Sequence, residues 1–152
     1  VTGPVVIVGA GPAGAACAIG LAEAGVASVV FDDAPSAGGR GWMASGSGPK
    51  VPGVDRRGEG MRARFSHPAI DHRPGTEVVA VLPGPELLVT DADGQVRQVV
   101  ADRLVLATGA VERFRPVLGG DLPGVHPLGG LQTLLKGSGV TPPEPVALAG
   151  RG

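Results

Sequence analysis

At 152 residues, with a formal net charge of −1 and only 3% aromatic side chains, the chain is long enough for one domain with a core of its own. It lacks the basic footprint and the stacking side chains of a nucleic-acid binder. The single cysteine, Cys17, excludes an internal disulfide, a four-cysteine zinc site and an iron–sulfur cluster held by this chain alone.

Glycine and proline are abundant, yet apolar runs recur too often for a disordered polymer. The first run, Val5 to Val8, is too short for a helix and rich in β-branched residues, so it reads as a buried strand of a parallel sheet. It leads into Gly9, Gly11 and Gly14 at G-x-G-x-x-G spacing. In that pattern the first glycine makes a sharp turn, the second leaves room for a pyrophosphate, and the third lets a helix pack closely. Pro12 suits the first turn of that helix, where no N–H is missed, and the unpaired N–H groups there face an anion. The run has no basic flank and is broken by glycine and proline. It therefore reads as the start of a cytoplasmic β-α unit and not as a signal or anchor, and no transmembrane segment is expected.

The helix is expected from Pro12 to Ala24, with Gly14, Ala18 and Leu21 on the face toward the sheet, Cys17 as a small buried hydrophobe and Gly25 closing it. Ser28 to Phe31 form the second strand, which ends in Asp32 and Asp33. The acidic pair arrives about twenty residues past the glycines, where a carboxylate accepts the hydroxyls of an adenosine ribose. Asp32, directly after the strand, is the preferred acid. The stretch APSAGGRGWMASGSGPKVPG that follows is a loop, in which Gly38 and Gly39 permit close backbone approach and Arg40 suits a phosphate. Arg56, Arg57, Arg62 and Arg64 read as a solvated helix face.

From Thr76 the pattern is TEVVAVL, ELLVTD and QVRQVVA, with Asp93-Gly94 marking a hairpin between the last two, so a three-stranded antiparallel insert is expected over about 76–101. Leu104 to Ala107 form another apolar strand, ending in Thr108-Gly109, where an open α/β sheet places its ligand. Leu131 to Lys136 are expected to form a short helix closed by Gly137. His67, His72 and His126 fall in expected loops without metal-ligand spacing, and no nucleophilic triad or catalytic acid or base is apparent. The expected fold is α/β: a Rossmann-like parallel sheet with an antiparallel insert.

Three pieces, VVIVGAGPAGAACA, VVFDDAPSAGGR and DRLVLATGA, resemble the N-terminal FAD-binding part of flavoproteins with two dinucleotide domains. The stretch LVLATGAVERFRPVLGGDLPGVHPLGGLQTLLKGSG is similar to the larger subunit of heteromeric amino-acid dehydrogenases, a group with opine oxidase, hydroxyproline dehydrogenase and hydrogen cyanide synthase subunits. The resemblance implies FAD as cofactor and a smaller FAD-containing subunit that oxidises the substrate. By position, Gly9, Gly11, Pro12, Ala13 and Gly14 would surround the pyrophosphate, and Asp32, with Asp33 beside it, would hold the ribose. Gly39 and Arg40 would line the same groove, Val78 would offer backbone to adenine, and Ala107, Thr108 and Gly109 would close over the dinucleotide. Family members often carry glutamine in place of Arg40.

The resemblance also implies residues 1–140 as the FAD-binding domain and residues 141–152 as a linker and opening strand of a second dinucleotide domain, which would take NAD(P). Val146 to Ala149, leading to Gly150 and Gly152, repeat the opening pattern of the chain. Two other readings stay open: an NAD(P)-binding domain, since one fingerprint serves both cofactors, and a non-catalytic assembly module that keeps the fold without a ligand.

Overall fold

A computed structural model describes residues 3–43, 54–84, 86–113 and 116–150. The described residues fall into two compact units, one reaching Ala110 and the other beginning at Val111.

In the first unit, β1 (Val5–Val8), β2 (Ser28–Asp32), β3 (Ile70–Pro74) and β7 (Leu104–Leu106) make a parallel sheet in the order β3-β2-β1-β7. Parallel neighbours need a crossover, and α1 (Pro12–Glu23) supplies it between β1 and β2, while α2 (Val54–Phe65) precedes β3. The run Val5–Val8 is apolar throughout because both faces of its strand are covered. Val5 and Ile7 join Val30 and Ile70 under Ala15, Ala18 and Ile19 of α1 and Met61 and Phe65 of α2. Val6, Val8 and Phe31 pack on the other side against Leu87 and Val89.

Those last two residues belong to β5 (Glu86–Thr90), the middle strand of an antiparallel sheet with β4 (Glu77–Leu82) and β6 (Val96–Val100). This is the expected insert, and its β5-β6 turn is held by Asp91, whose Oδ1 accepts from the N–H groups of Asp93 and Gln95. Gly94 has φ +75° there, as the hairpin requires.

Several expectations need correction. The buried face of α1 is Gly14, Ala15, Ala18, Ile19 and Ala22, with Leu21 only half-buried. So small a helix surface seats on the sheet by close approach of its alanines, and Leu21, less buried, still packs against the same core. His72 lies in a strand and not in a loop: Ile70–Pro74 is the edge strand β3, hidden in the sequence because only Ile70 is fully buried while Asp71 and Arg73 pair at 2.8 Å on the exposed side. Of the four arginines expected to be solvated, Arg56, Arg57 and Arg64 are exposed, but Arg62 is half-buried. Most of the loop expected after Trp42, residues 44–53, lies outside the described residues.

In the second unit, α3 (Leu128–Thr133) runs into a π turn, Leu134–Ser138. The segment stops at Gly139, φ +68°, and not at Gly137. The wider turn carries the chain two residues further, and the N–H groups of Gly139 and Val140 close it on the carbonyls of Leu135 and Leu134. Val146–Ala149 form no strand, and Gly152 lies outside the described residues.

His72 packs edge-on against Phe65, with ring centroids 5.1 Å apart. Burial there lowers its pKa from the ordinary 6.5, against the opposing pull of Asp32 and Asp71. Because the unfolded chain then takes up the proton more readily, the contribution of His72 to stability is full above pH 6.5 and is lost as the pH falls through the lowered folded value. Urea midpoints measured at pH 8 and pH 5 are expected to drop further for the unaltered chain than for His72→Phe, which keeps the ring contact and cannot titrate.

Candidate functional site

The site is built where the parallel strands end. Gly9 follows β1 with φ +99°, and a Cβ there would lie 2.3 Å from the carbonyl oxygen of Ala107. Gly14, in the first turn of α1, has its own Cα so close to the turn that a Cβ would lie 1.8 Å from the Gly9 oxygen. These two glycines are therefore demanded by the chain's packing on itself. Gly11 differs: its φ of −67° suits any residue, and a Cβ would meet nothing nearer than the Gly39 Cα at 4.0 Å.

Gly11 is also the N-cap of α1, with Pro12 next; it makes no side-chain cap, and the first turn carries no acidic residue. The leading N–H groups of a helix have no carbonyl one turn back to bond. Here the Ala13 and Gly14 N–H groups precede the first intrahelical bond, which runs from the Ala15 N–H to the Gly11 oxygen at 2.9 Å.

A second glycine loop closes onto the first. The Gly38 N–H donates to the Ala10 oxygen at 2.8 Å. Gly39, φ +53°, comes so near Gly11 that a Cβ on it would lie 2.9 Å from the Gly11 Cα. Arg40, next along, is exposed at the rim.

Asp32, 7% exposed, ties the turn to the end of β2. Its Oδ2 accepts from the Ala10 N–H, and its Oδ1 accepts from the Ala34 N–H at 2.8 Å. A carboxylate has about four acceptor sites, so each oxygen keeps one. Asp33 is exposed beside it. The Asp32 carbonyl accepts from the Thr76 N–H at 2.9 Å, which fastens the start of β4 to the same corner, two residues before the half-buried Val78. Across β1, the Ala107 N–H donates to the Val8 oxygen at 2.8 Å, and the exposed Thr108 and Gly109 continue from there, Gly109 with φ +76°.

The structure thus gathers Gly9, Gly11, Pro12, Ala13, Gly14, Asp32, Gly39, Arg40, Ala107 and Thr108 around the carboxyl ends of β1, β2 and β7. β1 is the switch point of this sheet, since the chain leaves it for β2 on one side and returns in β7 on the other. A crevice at such a point is where open α/β sheets bind ligand. Sequence reasoning passed over Ala10, whose N–H and oxygen hold Asp32 and Gly38 respectively. Its only signal was a residue small enough to be fully enclosed between two glycines.

A concavity of about 510 Å³ lies elsewhere, between α1 and α2. It is an open groove in which Glu23 is already paired with Arg64 at 2.7 Å. Convergent backbone donors mark the glycine turn instead. Among the described residues no three His, Cys, Asp or Glu side chains gather, and no helix is long and apolar enough to cross a membrane.

The chain belongs to the pyridine nucleotide-disulphide oxidoreductase family. The family's model matches residues 3–138, from the strand before the glycine turn to the end of the π turn. The chain is 41% identical to the hydrogen cyanide synthase subunit HcnB of Pseudomonas protegens and 38% identical to an opine oxidase subunit of Rhizobium meliloti, in each case over 97% of this chain and 33% of that protein. It therefore spans about a third of the length of these relatives. Among solved structures, L-proline dehydrogenase from P. horikoshii superposes with a TM-score of 0.74 at 23% identity, over 93% of this chain and 30% of the other. A thioredoxin reductase from Gloeobacter violaceus gives 0.52 at 33% identity, over 76% of this chain and 39% of that one. The first shows the fold. Cys17 can form no pair within this chain and lies half-buried in α1, so the dithiol chemistry in the family's description has no seat among these residues.

The two kinds of glycine in α1 make a direct test. Gly14→Ala is expected to lower stability by about 1–3 kcal/mol or more, because the methyl overlaps backbone that cannot swing away. Gly20→Ala, whose Cβ meets nothing within 4 Å, is expected to raise it by about 0.5–1 kcal/mol. Thermal denaturation of both variants beside the unaltered chain reads the opposite signs.

Proposed function

We propose that this chain is the FAD-binding domain of a flavin-dependent oxidoreductase subunit that handles electrons within a heteromeric amino-acid or opine dehydrogenase. The single observation that carries the reading is Gly11. Among the described residues nothing in the packing requires a glycine there, whereas a pyrophosphate lying against the start of α1 would. The names of the relatives, both subunits, support a partner. The partner proposed is a smaller FAD-containing subunit that oxidises the substrate.

The residues present suit a dinucleotide. Backbone donors at Gly11, Ala13 and Gly14 face an anion with the positive end of α1 behind them. Asp32 has acceptor capacity left for the ribose hydroxyls and is already oriented by Ala10 and Ala34, so little ordering is needed on binding. Arg40 adds a guanidinium at the exposed rim, Val78 lies on the strand fastened beside Asp32, and Thr108 and Gly109 border the opposite side of β1. When bound, FAD supplies the hydride and electron chemistry. No side chain among these is placed as a catalytic acid or base.

Titration with FAD and with NAD+ tests the reading: saturable flavin binding is expected, and a preference for NAD+ would overturn FAD as the cofactor. Gly11→Ala is expected to fold normally and to lose more than about tenfold in FAD affinity, roughly 1.4 kcal/mol. Asp32→Ala is expected to weaken FAD by roughly 1.5–3 kcal/mol more than Asp33→Ala, the worth of hydrogen bonds to a charged group. Equal affinities for these two variants would move the ribose contact away from Asp32.

A further inference from the structure

The second glycine loop has no regular structure of its own, yet it lies on the first with its backbone in contact. Its near end is held by the Gly38 N–H on the Ala10 oxygen. Its body is an α turn, closed by the Trp42 N–H on the Gly38 oxygen at 3.0 Å, with Gly39 against Gly11. The far end of the turn is fastened from outside. Arg62, reaching from α2, donates from Nη1 to the Trp42 carbonyl oxygen at 2.8 Å.

The surroundings of that bond are shaped for it. A Cβ at Gly58 would stand 3.0 Å from Arg62 Nη1 and 3.2 Å from the Trp42 oxygen. A Cβ at Gly38, φ +130°, would stand 3.4 Å from the same Nη1 and 2.3 Å from the same oxygen. Two glycines on separate elements thus leave a slot that admits a guanidinium and a carbonyl. Gly58 sits inside a helix, where glycine is less favourable than alanine. The slot accounts for that cost. It also explains why Arg62 is half-buried among exposed arginines.

We infer that Arg62 is a positioning residue for the cofactor groove: it never touches the dinucleotide, but it locks the Gly38–Trp42 turn against Gly11 and so sets the width of the gap in which the pyrophosphate lies. The inference rests on the cofactor reading above and adds to it a residue on α2, remote in sequence from both glycine loops. The guanidinium supplies a charged donor to a single carbonyl, a stronger bond than a neutral pair makes. Without it, the far end of the turn loses its charged donor, while the Gly38 bond to Ala10, the contacts of Gly39 with Gly11 and Pro12, and the packing of Trp42 against the core remain.

Arg62→Lys and Arg62→Met separate this role from simple packing. Lysine retains a charged donor on an aliphatic stem, and methionine retains apolar bulk without a donor. FAD affinity, titrated by flavin fluorescence well below each unfolding midpoint, is expected to fall at least about tenfold for Arg62→Met and to stay within about threefold for Arg62→Lys. Trp42 is the chain's one tryptophan, so acrylamide quenching of its emission reads the turn directly. Quenching is expected to increase for Arg62→Met and not for Arg62→Lys. Unaltered FAD affinity in Arg62→Met, or equal losses in both variants, overturns the inference. If the unaltered chain binds no flavin at all, the cofactor reading fails by itself, and unchanged quenching in Arg62→Met then overturns the latch independently.

Discussion

Everything at the carboxyl end of the sheet depends on three stretches of backbone meeting without side chains between them. Gly9 presses on the Ala107 carbonyl, and Gly14 presses on the Gly9 carbonyl. Together these contacts fix how closely β7 lies beside the β1 turn and how steeply α1 rises from it. Were either distance larger, the start of α1 would no longer point its N–H groups across the ends of the strands. The close approach is backbone on backbone, so no rotamer change can relieve a misfit.

The glycines of the two loops divide according to what forbids a Cβ. For Gly9, Gly14, Gly38 and Gly39 the obstacle is this chain, with backbone atoms closer than 3.0 Å to the would-be Cβ. For Gly11 no described residue comes closer than the Gly39 Cα at 4.0 Å. A pattern match treats the three glycines of the fingerprint alike, whereas the structure assigns two to folding and gives the third no packing role among the described residues, which is what supports the ligand reading proposed for it. That separation turns a sequence motif into a functional statement.

The elements that were legible in the sequence are those whose environment repeats along them. β1 and β2 are covered on both faces and show unbroken apolar runs; the insert alternates and carries Asp93-Gly94 at its turn. β3 was illegible because an edge strand with one deeply buried residue leaves almost no periodic trace. The acid end of β2 was legible as a site, but not the bond of Asp32 to Ala10, since nothing in the identity of an alanine reports what its N–H will meet. Arg62 was hidden for a related reason. Its neighbours Arg56, Arg57 and Arg64 are solvated, and only the position of Trp42, twenty residues earlier, distinguishes it.

The donors and acceptors of the first turn are partly committed within the chain, which limits where a bound anion could sit. The Ala10 N–H is committed to Asp32, and the Ala10 carbonyl to Gly38. Pro12 has no N–H to give. An anion at the helix start would therefore be restricted to donors at Gly11, Ala13 and Gly14, since the Ala15 N–H already donates to the Gly11 oxygen at 2.9 Å. A carboxylate and a pyrophosphate repel, and in a partly desolvated groove the repulsion is weakly screened. Each needs its own donors close at hand. With the Ala10 N–H given to Asp32 and the leading α1 donors left for a ligand, the proposed FAD would have its pyrophosphate and the Asp32 carboxylate served by separate donors of one short turn, with the ribose hydroxyls between them.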